Sequence, residues 1–87
     1  MDELTEKVKA IAIERLMLTA PADEILPTDN LPAVYGVDSV RLFDLVASLE
    51  EDFDISFEDQ ELKLSRFSSI SAITKCIREK LEQKENT

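Results

Sequence analysis

All three prolines, Pro21, Pro27 and Pro32, and the only glycine, Gly36, fall within residues 19 to 37 of an 87-residue chain. Proline removes a backbone donor and breaks a helix interior, so no long helix crosses this stretch. On either side of it the apolar residues recur at helical spacing. Leu4, Val8, Ile11, Ala12 and Leu16 share one broad face and predict a helix over about residues 3 to 18. Leu42, Leu45, Val46, Leu49 and Phe53 share another and predict a second helix over about residues 38 to 52, opening at Asp38 or Ser39.

The remaining elements are read from their start signals. Ser56 precedes FEDQEL, with Asp59 three residues on, a weak capping box that predicts a short third helix over about residues 57 to 62. Ser68 or Ser69 caps a fourth, over about residues 68 to 82, before the chain frays into QKENT. There Ile70, Ile73, Ile77 and Leu81 keep one face, while Lys75, Arg78, Lys80 and Lys84 favour the negative C-terminal end. The long connection between the first two helices needs fastening, and Ile25, Leu26, Leu31, Val34 and Tyr35 are the residues available to pin it to the core. The expected fold is all-α: one domain over residues 1–87, a four-helix bundle whose first, second and fourth helices pack together with the short third across one end. A chain of this size buries roughly 60 to 65% of its surface and has little room for an enclosed active site.

Charge is distributed unevenly. Residues 1 to 18 carry four acids and three bases, residues 19 to 62 carry twelve acids against the lone Arg41, and residues 63 to 87 carry three acids and six bases. The net charge of −9 therefore originates in the middle. Such a field repels nucleic-acid phosphates and anionic lipid and steers toward basic protein surfaces in a salt-sensitive way. No apolar run reaches membrane-spanning length, and MDELTEKVKA is too charged for a secretory signal, so a cytoplasmic location is expected. The single cysteine, Cys76, forms neither an internal disulfide nor a zinc-site spacing and fits a reducing compartment. Lys75 and Arg78 beside it could lower its thiol pKa, but a half-exposed helix cysteine without a chemical role is the simpler reading.

Several chemistries are excluded or weakened. With no histidine in the chain there is no histidine triad, general base or metal ligand. Paired carboxylates would need a cleft that desolvates one of them. The run DFDISFEDQELK, from Asp52, offers oxygens in Asp52, Asp54 and Ser56, but Phe57 stands where a calcium loop needs glycine and Lys63 where it needs glutamate. No metal site is expected. What remains is Ser39 at a helix N-terminus. It serves as a cap, or it carries a group whose negative charge the helix end favours, and both can hold at once.

The second predicted helix also carries a stripe that a surface helix does not require. Val40, Phe43 and Ala47 fall together away from the core face, with Asp44 and Glu51 beside them and Glu50 at the edge. For Phe43 the plain alternative is packing beneath the long connection or against the third helix.

Gly36-Val37-Asp38-Ser39-Val40, followed by a helix ending in Leu49-Glu50-Glu51-Asp52-Phe53-Asp54, resembles the acyl carrier proteins, whose signature is a glycine, a spacer, Asp-Ser and a large aliphatic residue. The likeness covers nearly the whole chain, from the VKAIAIERL first helix through the acidic proline-bearing connection to FSSISAI at the start of the last helix. It implies that Ser39 is the attachment point for 4'-phosphopantetheine, transferred from coenzyme A by a separate magnesium-dependent phosphopantetheinyl transferase, and that Gly36, Asp38 and Val40 complete the attachment motif. The prosthetic thiol would then carry acyl groups as thioesters, and the chain would be a carrier and not an enzyme, acting with an acyl-loading ligase or synthase as a monomer.

By the same resemblance, Val40, Phe43 and Ala47 with Asp44, Glu50 and Glu51 match the positions at which such carriers meet the basic docking surfaces of partner enzymes. Leu45, Leu49, Phe67 and Ile73 become linings for an acyl cavity. The chain departs from the pattern at three places. Arg41 stands where fatty-acid carriers often have an acid, Val40 replaces the commoner leucine, and ISFEDQELKLSR is slightly longer than usual. A base at position 41 penalises partners that present Lys or Arg opposite it and rewards those that present an acid, which points to a specialised and not a housekeeping carrier. Two other readings stay open: a peptidyl, aryl or D-alanyl carrier with the same arm, and an unmodified acidic adaptor in which Ser39 only caps its helix. A small hydrolase using Asp and Ser is a weaker third.

Overall fold

The computed structural model describes residues 2 to 85, and among these all regular structure is helical. Four α-helices, α1 (Glu3–Leu16), α2 (Leu31–Tyr35), α3 (Ser39–Phe53) and α4 (Ile70–Glu85), are joined by connections that include three 3-10 turns, Ala22–Glu24, Asp59–Glu61 and Leu64–Arg66. The helix α1 lies against both α4 and α3. Its buried residues include Val8, Ala12 and Leu16, with Leu4 and Ile11 partly covered. From α3 come Leu42, Leu45, Val46 and Leu49, and from α4 Ile70, Ile73 and Ile77, so the helical periodicity of each sequence segment selects the face that is buried.

Each long helix begins and ends for an identifiable reason. Asp2 caps α1 by accepting from the Thr5 N–H at 2.8 Å, and Ser69 caps α4 by accepting from the Ala72 N–H at 3.1 Å. The helix α1 ends at Met17, left-handed at φ 54°, with the Leu18 N–H returned to the Ile13 carbonyl. Asp54, also at φ 54°, ends α3 with the Ile55 N–H on the Glu50 carbonyl. The helix α4 continues to Glu85, past the expected end near residue 82, and there the Lys84 ammonium reaches back to the Asp54 carboxylate at 2.7 Å.

The connection expected over residues 19–37 is not all loop: it contains the short helix α2. Asn30 caps it through the Ala33 N–H at 2.9 Å, and Pro32 sits in its first turn, where the missing donor costs nothing. Ile25 and Leu31 are buried and Tyr35 half-buried, but Leu26 and Val34, expected as pins, are exposed. Backbone bonds take their place: the Leu31 N–H donates to the Ser68 carbonyl at 2.7 Å, and the Ser71 N–H to the Pro27 carbonyl at 2.8 Å. Asp29 adds an inner brace, its Oδ2 accepting from the Leu26 N–H at 3.0 Å and from the Tyr35 hydroxyl at 2.7 Å.

The short helix expected over residues 57 to 62 is reduced to a single 3-10 turn, Asp59–Glu61, and no α-helix forms there. Phe57 is buried and its N–H donates to Glu50 Oε2 at 2.8 Å, which ties it to α3 instead of starting a helix. The box expected from Ser56 and Asp59 shifts by two residues, with the Glu58 N–H donating to Glu61 Oε1 at 2.9 Å, and two 3-10 turns follow.

Candidate functional site

The segment leading into α3 holds its side chains by a sequence of local devices. Gly36 closes α2 in the left-handed region at φ 67°, its N–H on the Pro32 carbonyl at 3.1 Å. A Cβ there would meet nothing within 4 Å, so glycine is required by the backbone angle and not by space. Val37 is buried and anchors the chain. Asp38 then caps α3, accepting from the Arg41 N–H through Oδ1 at 2.8 Å, while its carbonyl takes the Leu42 N–H at 3.1 Å.

This assigns the cap. Asp38 performs it, and Ser39 is the first helical residue, exposed and with no hydrogen bond from its hydroxyl to any described residue. The Ser39 and Val40 N–H groups also lack an acceptor among the described residues. Ser39 therefore stands at the positive end of a 15-residue helix, beside two open amides and without a structural task. An anionic group on its oxygen fits there: the hydroxyl is accessible, the donors are free, and the left-handed turn at Gly36 leaves the approach open.

The other sequence-selected residues fall into distinct settings. Val40 is 70% exposed, and Arg41, Asp44, Ala47 and Glu51 are exposed beside it on α3. Phe43 is only half exposed and packs against the core, and Glu50 is half-buried with an oxygen committed to the Phe57 N–H, so each has a structural role besides any contact with a partner.

Leu45, Leu49, Phe67 and Ile73 are at most 1% exposed and belong to the core. Phe67 instead meets Phe57 edge to face, ring centroids 5.4 Å apart. In this conformation all four side chains are covered by the core cluster they share with α1, α3 and α4. Cys76 is half-buried, and burial pushes its thiol up, opposite to the shift a reactive thiol needs. The described residues contain no cluster of acids and cysteine able to hold a metal, and no described helix is long and apolar enough to cross a membrane.

Two features near Ser39 escaped sequence reading. Met17, the left-handed residue ending α1, is 74% exposed, and Val34 on α2 is 56% exposed, both lining the cleft that Arg41 borders. Left-handed helix ends favour glycine or asparagine, so methionine gave no signal of one.

The chain is thus a small helical domain that holds out an unengaged hydroxyl at the head of α3. The sequence model of the phosphopantetheine attachment site family matches residues 6–77, and the chain belongs to that family. Its prosthetic group is covalent 4'-phosphopantetheine, and the all-α fold is that of the acyl carrier proteins.

Proposed function

We propose that Ser39 is the attachment residue and that the chain is a non-enzymatic acyl carrier, passing thioester-linked intermediates between enzymes of fatty acid, lipid or polyketide-type biosynthesis. The observation that carries the assignment to Ser39 is the division of labour with its neighbour: Asp38 caps α3, and the Ser39 hydroxyl is exposed and unengaged. No described residue hydrogen-bonds to the Ser39 hydroxyl and the chain has no histidine, so in this reading activation falls to the transferase.

When attached, the group supplies a thiol that carries cargo as a thioester. The chain's own residues position and present it. Gly36, Val37 and Asp38 set the direction of the attachment point, and α3 offers Val40 and Ala47 flanked by Asp44 and Glu51 to a basic docking surface. Acids that remain in water give weak, salt-sensitive complexes, which suits release and transfer to the next enzyme. Tethering raises the local concentration of the cargo at each partner.

Incubation with coenzyme A, magnesium and a broad-specificity phosphopantetheinyl transferase, followed by intact mass measurement, tests the assignment. The native chain gains one phosphopantetheine and Ser39→Ala gains none. A native chain that stays unmodified, or a Ser39→Ala chain that is still modified, overturns it.

A further inference from the structure

The cleft between the end of α1 and the helix α2 has a volume of about 310 Å³, and its walls include Met17, Thr19, Val34, Gly36, Val37 and Arg41. Val37 and Arg41 stand two residues before and after Ser39, so the cleft borders the segment that presents the hydroxyl. Arg41 is the only base in residues 19 to 62, is exposed, and forms no side-chain hydrogen bond or ion pair with any described residue, although Asp38 and Asp44 are its neighbours in sequence. A guanidinium left unpaired among acids is available to an anion.

An anion is what modification of Ser39 supplies. A phosphodiester there adds negative charge to a field that is already negative, and the groups able to offset it nearby are the open Ser39 and Val40 amides and the Arg41 guanidinium. Beyond the phosphate, a pantetheine arm presents a geminal dimethyl group, a hydroxyl and two amides. The cleft matches this mixture: Met17 and Val34 offer apolar surface, Thr19 an unengaged hydroxyl, and Gly36 a stretch of backbone with no side chain over it.

The geometry points to a resting place for the unloaded arm, in which Arg41 pairs with the phosphodiester on Ser39 and the arm lies over Gly36 between Met17 and Val34. This rests on Ser39 being the attachment residue. It gives the charge reversal at position 41 a task inside the molecule: the base retains the arm on the α1–α2 side, away from the Val40 and Ala47 face.

The test uses ¹³C,¹⁵N-labelled protein primed with unlabelled coenzyme A, with intact mass first establishing that Ser39 is modified. Isotope-filtered NOEs then report contacts from the arm's geminal methyls to the Met17 or Val34 methyls. Amide shifts between unmodified and modified protein should extend to Thr19, Ala20 and Gly36, and the ³¹P resonance should move in modified Arg41→Ala. In that variant the NOEs and the distant amide shifts should be lost, and Arg41→Lys should restore part of them.

Amide changes confined to residues 37 to 43, or contacts that persist unchanged in Arg41→Ala, overturn the resting place while leaving the carrier assignment intact. If Arg41→Ala instead changes only the turnover of partner enzymes, Arg41 reads partners and the resting place is again overturned. Absence of any mass gain removes the attachment at Ser39 and the resting place together.

Discussion

Asp38 and Ser39 are adjacent, both polar and both suited to capping, yet only the aspartate does so, and this frees the serine. Replacing Asp38 with Ala should therefore destabilise the fold by about 1 kcal/mol, read from urea unfolding. Ser39→Ala should leave the unfolding midpoint within experimental error. Gly36→Ala should cost roughly 1 to 2 kcal/mol, because an L-residue is forced left-handed, even though the added methyl meets nothing within 4 Å. Gly36→Asn should recover part of that loss in the same measurement, which separates backbone strain from crowding. These positions were legible in the sequence because short-range chemistry determines them: a glycine for a positive φ, an acid for a cap, a serine beside it. Met17 was not legible, since nothing in a methionine announces a left-handed helix end, and its exposure became apparent only with the cleft it shares with Arg41.

The three long helices were readable from periodicity, since a single apolar face repeated over 14 to 16 residues leaves few alternatives. The segments between them depend on contacts distant in sequence. Phe57 draws its stretch onto α3 through the Glu50 carboxylate and onto Phe67 through its ring, and those two demands override a weak local helix signal. Glu50→Gln, which keeps an acceptor oxygen, should preserve this arrangement better than Glu50→Ala; in the alanine variant the Phe57 amide should exchange with solvent markedly faster. The first connection is likewise fastened by backbone bonds that no side-chain pattern reveals. The Leu31 and Ser71 amides, bonded across to Ser68 and Pro27, should be among the slower-exchanging of the non-helical contacts, and Tyr35→Phe should speed exchange at Leu26 by loosening Asp29. The core residues proposed as cavity walls were legible as buried, but whether they part around a cargo depends on a loaded state, which periodicity does not encode.

Across the whole molecule, ion pairs join acids to α4: Asp2 with Arg78, Glu61 with Lys80 and Asp54 with Lys84. The Thr5 hydrogen bonds and Arg78 hold Asp2 well below the usual carboxylate range, Lys80 and the Glu58 amide lower Glu61, and Lys84 lowers Asp54. Groups with depressed folded-state values contribute stability that is present above the ordinary carboxylate range near pH 4 and lost as pH falls through the depressed values. Unfolding midpoints measured across this range should drop below about pH 4, and less so in Asp54→Asn, which has already given up one contribution. Added salt at neutral pH should act in opposite directions on two quantities. It screens the self-repulsion of a chain with net charge −9, favouring the fold, while weakening any complex with a basic partner.

Residues 19 to 62 carry twelve acids against one base, and residues 63 to 87 six bases against three acids, so the negative charge of the molecule is unevenly distributed along the chain. In the field of a basic partner of the kind proposed, an uneven charge distribution experiences a torque, so rotation begins before any surfaces touch. On the proposed function, the acid-rich stretch that contains Ser39 would then lead the approach, favouring encounters without any extra contact area.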